Sequence, residues 1–196
     1  MKHILCFLSF VLLMVGCNNH HQIVDNGKKA SKKINIENIT GFFISGMSKI
    51  EFIKSDSNKI EIQGTEKQLA DLTVSTSSDL IKITSGGSDQ ENPPLYTYVY
   101  SKDITNIQVS GSGEVIIGDV LQNEKAKVEA NGIGGVNAIL NCETINFSAN
   151  GLGKLTLSGQ VKNGDIDINA VGALETKQLR HDNVSINTTA VASHNM

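Results

Sequence analysis

The chain has 196 residues, 39% of them hydrophobic and 19% charged, with 18 Gly, 2 Pro and no Trp. Seventeen basic against 20 acidic residues leave a net charge of −3, which disfavours a nucleic-acid binder. The apolar content is too high for general disorder, and the length suffices for one domain with its own core.

Met1, Lys2 and His3 form a short positive head, and an apolar run follows over residues 4–15. That run is about half of the ~20 residues a membrane-crossing helix needs, so it reads as the apolar region of a signal peptide. It ends at Met14-Val15-Gly16-Cys17, which resembles a bacterial lipoprotein box, with Met14 where Leu is usual. Residues 1–17 are therefore predicted to be a lipoprotein signal, and Cys17 the lipid attachment site. Each acyl chain contributes ~0.8 kcal/mol per buried methylene, so the lipid on Cys17 would anchor the protein to a membrane. Cys6 leaves with the signal, and Cys142 alone remains in the folded part. No intramolecular disulfide or Cys-based zinc site then follows, and Cys142 reads as a half-buried small hydrophobe. Residues 18–33 are polar, with Lys28, Lys29, Lys32 and Lys33, and are predicted to be a solvated tether. His20 and His21 within it are polar filler.

From Ile34 the dominant period is two. Ile34-Asn35-Ile36, Lys49-Ile50-Glu51-Phe52, Lys59-Ile60-Glu61-Ile62-Gln63 and Leu80-Ile81-Lys82-Ile83 alternate between Ser, Asp, Asn and Gly clusters, which predicts short β-strands. One helical turn and a half is predicted over residues 66–71, capped by Thr65. Residues 85–94 are a loop by composition.

The second half repeats. Ser110-Gly111-Ser112-Gly113, Asn131-Gly132-Ile133-Gly134, Asn150-Gly151-Leu152-Gly153 and Asn169-Ala170-Val171-Gly172 start 21, 19 and 19 residues apart, and Thr189-Ala190-Val191-Ala192 is a decayed copy 20 further on. An apolar pair precedes each turn: Ile107/Val109, Ala126/Val128, Ile145/Phe147, Ile166/Ile168 and Val184/Ile186. A fixed period near 20 marks a solenoid whose single coil cannot bury its own face. Strands of successive coils would stack in parallel ~4.8 Å apart. Gly in the turn supplies positive φ and Asn tolerates it, while Asn131, Asn150 and Asn169 line up for a side-chain ladder. The Leu-dense consensus and helical returns of leucine-rich repeats are missing. The predicted fold is all-β, a parallel β-helix-like solenoid of ~20-residue coils preceded by a smaller β-rich half.

The order of these strands, with Gln68-Leu69-Ala70-Asp71-Leu72 between them and Tyr98-Val99-Tyr100 leading into Ile107-Gln108-Val109-Ser110-Gly111, resembles the putative auto-transporter adhesin head GIN domain family. The resemblance covers the chain from Ile34 onward; Asn-for-Ser turns and the loss of Gly from the last copy are its departures. It implies an all-β, β-helix-like domain with an adhesin role and no catalytic residues to carry over. Together with the repeat it predicts one domain over residues 34–196, a β-rich half over 34–101 followed by coils over 102–192.

Reading the residues for chemistry yields little. Asp165 and Asp167 alternate with Ile166 and Ile168, at a spacing a glycosidase pair could use, but outward charges are what a soluble strand needs. His181 lies in the turn Arg180-His181-Asp182-Asn183 and His194 near the end, without a strained Ser elbow beside either. Asp56-Ser57-Asn58 is an Asx turn rather than a calcium loop, and Ser110-Gly111-Ser112-Gly113 lacks the Lys-Ser/Thr of a phosphate cradle. No metal site, cofactor or catalytic residue is predicted. Tyr96, Tyr98 and Tyr100 share one strand face. They form either a binding platform for a glycan or envelope protein or, as the favoured reading, a cap over the end of the solenoid. The expected function is adhesion, scaffolding or binding by a non-enzymatic, lipid-anchored protein of the cell envelope, at the outer membrane. A carbohydrate-active enzyme and a periplasmic ligand-binding lipoprotein are the alternatives.

Overall fold

In a chain with almost no helix to cover them, alternating strands hide their apolar rows by setting two sheets face to face, and this chain achieves that by winding. The structure, a computed structural model, describes residues 27–86, 93–111 and 113–195. The predicted signal peptide, Cys17 and the paired histidines lie outside these residues. In chain order the elements are β1 (Lys29–Asn35), β2 (Gly41–Ser45), β3 (Lys49–Lys54), β4 (Lys59–Thr65), α1 (Glu66–Ala70), β5 (Thr73–Ser77), β6 (Leu80–Thr84), β7 (Tyr96–Ser101), β8 (Asn106–Ser110), β9 (Glu114–Leu121), β10 (Lys125–Asn131), β11 (Gly135–Asn150) and β12 (Lys154–Asn195). The last two run around corners without a break.

One wall stacks β5-β6-β2-β8-β10 and continues into residues 144–150 of β11 and 163–169 of β12. The facing wall stacks β1-β4-β7-β3-β9, then residues 135–142 and 154–161. From β6 and β7 onward the pairing between coils is parallel, as the repeat predicts. Between the walls lie Phe42, Phe52, Val99, Ile107, Val128, Leu140, Phe147, Leu155 and Ile166, all nearly inaccessible. The Phe42 and Phe52 rings meet edge to face at 5.8 Å, which joins the two walls near the first coils.

The order of the coils is not the order of the chain. Corner hydrogen bonds trace it: Ser85 N donates to Ser45 O, Gly46 N to Ser110 O, Gly111 N to Asn131 O, Gly132 N to Asn150 O and Gly151 N to Asn169 O. Strands β2 and β3 thus form a coil inserted between that of β6 and β7 and that of β8 and β9. The β-rich first half is not a separate layer before the solenoid but supplies two of its coils.

The tether expectation needs a correction as well. Residues 29–33 fall inside β1, which pairs antiparallel with β4. Ala30, Lys32 and Ile34 are half-buried while Lys29, Ser31 and Lys33 are exposed. Lysine can take such an inward position by laying its aliphatic stem along the sheet. The helix forms as expected. Thr65 Oγ1 accepts from Gln68 N at 3.2 Å, and Thr65 N donates to Gln68 Oε1 at 2.8 Å, a reciprocal cap. Leu69 and Leu72 are buried beside it.

The corner glycines act for two different reasons. Gly132 (φ +63) and Gly151 (φ +66) adopt the left-handed conformation, as expected from the repeat. Gly153 does not; a Cβ built there would stand 2.3 Å from Gly134 O of the neighbouring coil. The second glycine therefore permits close stacking of backbones, not positive φ. Between the two glycines, Ile133 and Leu152 turn inward and are buried. One rung of the expected ladder is present: Asn150 Nδ2 donates to Asn131 Oδ1 at 3.0 Å.

Candidate functional site

The tyrosine strand β7 lies in the interior of its wall, between β4 and β3. Its alternation buries Thr97, Val99 and Ser101 toward the core and turns Tyr96, Tyr98 and Tyr100 outward, half-exposed. The capping expectation is therefore overturned. Strand alternation sends the rings away from the core, and the end of the solenoid beyond β7 is closed by β4 and β1. All three tyrosines remain together on one outer face, each flanked across both neighbours.

The register fixes those neighbours. Tyr96 pairs with Lys49 and Gln63, Tyr98 with Glu51 and Glu61, and Tyr100 with Ile53 and Lys59. Lys59 Nζ stands 4.7 Å from the centre of the Tyr100 ring, a cation–π contact that occupies that ring. Gln63 Nε2 donates to Glu61 Oε1 at 3.1 Å, which holds the carboxylate beside Tyr98. Loss of water around the Tyr100 hydroxyl raises its pKa, and the charges on Glu61, Tyr98 and Glu51 add to the rise. The phenol stays a neutral hydrogen-bond donor at any ordinary pH.

At one end of the row the surface deepens. A cleft of about 530 Å³ is lined by Tyr96, Glu61, Gln63, Ser31, Lys29 and Pro94, among others, within the ~300–1,000 Å³ range of ligand pockets. Pro94 is held through its neighbour, because Gln68 Nε2 donates to Pro93 O at 2.8 Å. The cleft joins an aromatic face, a carboxylate, an amide, a hydroxyl and an ammonium group. Such a set can stack on the apolar face of a ring and hydrogen-bond its rim.

Other expected residues stay apart from this face. Cys142 is buried, and burial pushes its thiol up to about 11, the state of an inert small hydrophobe. Asp165 and Asp167 are exposed on an outward row, where Asp167 accepts from Asn187 Nδ2 at 2.9 Å. His181 is exposed at the far end of the molecule; the His194 side chain lies outside the described residues. Among the described residues no group of three or more His, Cys, Asp or Glu could hold a metal ion.

The sequence missed the partners of the tyrosines. Lys59, Glu61 and Gln63 alternate outward in a strand it did identify, but only the antiparallel pairing of β4 with β7 brings them to the rings.

The model of the family described as "Putative auto-transporter adhesin, head GIN domain" matches residues 39–196. Solved structures share the architecture. A putative adhesin from Parabacteroides merdae ATCC 43184 is 18% identical, with a TM-score of 0.60 over 83% of this chain and 78% of that one. A putative adhesin from Bacteroides fragilis NCTC 9343 is 14% identical, with a TM-score of 0.57 over 86% and 97%. A putative lipid binding protein from Parabacteroides distasonis ATCC 8503 is 13% identical, with a TM-score of 0.54 over 87% and 98%. No curated protein is similar in sequence to this chain. Identities this low establish a shared fold alone.

Proposed function

The chain belongs to the putative auto-transporter adhesin head GIN domain family, and we propose that it is a non-enzymatic, glycan-binding domain held at the cell envelope by lipid on Cys17, the anchor resting on the Met14-Val15-Gly16-Cys17 motif. Membership supports an adhesion or binding role and a surface or envelope location. The observation that carries the ligand class is the outward tyrosine row ending in a cleft. Tyr96 supplies an amphipathic ring face there, and Glu61 and Gln63 supply planar groups already oriented by their mutual hydrogen bond. Sugar rings offer the complementary surfaces, apolar C–H faces for aromatic rings and hydroxyl rims for carboxylate and amide.

A glycan array, run beside a panel of envelope proteins, tests this reading. The protein should retain a defined set of saccharides. Tyr96→Ser should lose them at an unchanged melting temperature, since the ring is half-exposed and outside the core. Binding to envelope proteins alone, or saccharide binding that survives Tyr96→Ser, would refute the proposal. The anchor has its own check. Cys17→Ser should abolish lipid labelling and free the protein from the membrane fraction; a variant that still pellets with label would exclude lipid attachment at Cys17.

A further inference from the structure

A solenoid has two ends, and each end strand presents unpaired backbone groups that invite pairing. At the first end β1 is guarded by Lys29, Lys32 and Lys33, with Lys28 beside it, and β5 is only five residues long between Asp71 and Asp79. The last coil has neither device. Its first strand stacks on residues 163–169, as shown by Asn183 Nδ2 donating to Asn163 Oδ1 at 3.3 Å and Asn187 Nδ2 to Asp167 Oδ1 at 2.9 Å. No described strand lies on its other side. From Asn183 to Asn195 there is no Lys, Arg, Asp, Glu, Pro or Gly. Val184, Ile186 and Val191 belong to the core side yet stay partly exposed.

We propose that this end is covered by the same end of a second copy, with residues 182–188 pairing antiparallel about a two-fold axis through Ser185. The choice of occupant rests on self-complementarity. In that register Val184 meets Ile186 of the other copy, Asn183 meets Asn187 and Asp182 meets Thr188. Apolar residues meet apolar ones on the core side, and amides meet amides in line with the outer ladders. The one charge in the segment meets a hydroxyl, and no like charges oppose each other. A two-fold contact uses one patch twice and closes after two chains. It therefore ends the edge without building a fibre. Moving the axis to Ile186 would set both valines against Thr188 and lose two apolar pairs. The pairing leaves the tyrosine face free, because β7 lies at the opposite end of the stack, and each dimer would present that face twice.

The test uses the full chain with Cys6 and Cys17 replaced by serine, so that neither lipid nor these thiols contribute. Sedimentation over a dilution series should show a dimer that dissociates. Ser185 is exposed and points away from the core. Ser185→Lys sets two ammonium groups against each other across the axis and should leave only monomer, with unchanged circular dichroism and melting temperature. Ser185→Cys should oxidise to a covalent dimer whose disulfide maps to position 185 of both copies; buried Cys142 should stay reduced. A monomer at every concentration would overturn the proposal. So would a dimer untouched by Ser185→Lys, or failure of Ser185→Cys to crosslink.

Discussion

The corner at residues 150–153 and the corner at 189–192 are copies of one turn under different constraints. The inner one reads Asn-Gly-Leu-Gly, and the outer one Thr-Ala-Val-Ala. Both keep the same path: Gly151 has φ +66 and Ala190 has φ +53. Leu152 is buried while Val191 is only partly so. The inner corner has coils on both sides, so a Cβ at its second glycine has nowhere to go. The outer coil has a neighbour on one side and can shift outward to take the methyl of Ala192. Glycine in this solenoid is thus demanded by stacking as much as by turn geometry, and the demand relaxes at the free end.

Four substitutions would break or sharpen that contrast. The largest effect is expected at Gly153, where a methyl would meet Gly134 O at 2.3 Å. Gly153→Ala should cost at least ~2 kcal/mol, in the upper part of the range for overpacking, read by chemical denaturation. A cost near zero would mean that the coils are not packed backbone to backbone there. Gly151→Ala should cost less, ~1 kcal/mol, since its Cβ finds 3.7 Å of room and pays only for the left-handed backbone.

The outer corner should respond in the opposite direction. Ala190→Gly removes ~1–2 kcal/mol of left-handed strain and adds ~0.5–1 kcal/mol of chain entropy cost. A small net gain, ~0.5 kcal/mol, should appear as a slightly higher melting temperature. Unchanged or lowered stability would show that the last corner does not follow the inner path. The smallest effect is expected from Asn150→Ala, which deletes the ladder bond to Asn131 and a long bond to Ser148 Oγ; water replaces both at this surface, so the net loss should stay below ~0.5 kcal/mol. A much larger loss would make the amide ladder, rather than backbone stacking, the main tie between inner coils.

Much of this fold is legible along the chain because its signals are local. The capping box of Thr65 and Gln68 lies within four residues, and each inner coil announces itself by a corner about 20 residues after the last. Two coils escaped notice. The corner at Ser45-Gly46-Met47-Ser48 also has a left-handed Gly46 (φ +75) and a buried Met47. Between it and its stacking partner at Ser110, however, the chain makes the whole excursion through β4, α1 and β5. Periodicity cannot be counted across such an insertion. The strand β1 was hidden differently, since its inward Lys32 reads as solvent-facing unless a sheet is there to receive the stem.

The sequence by itself determined that strands coil with a near-20-residue period, which face of each is apolar, and that three tyrosines share a side. These properties follow from alternation and repeat spacing, and both are read within a few residues. Whether the tyrosine side is wet, which residues stand beside it, and which edges remain open were decided by tertiary structure. Pairing between strands far apart in the chain is chosen by the burial of the whole stack. Only when β4 docks antiparallel on β7 do Glu61, Gln63 and Tyr96 become one surface.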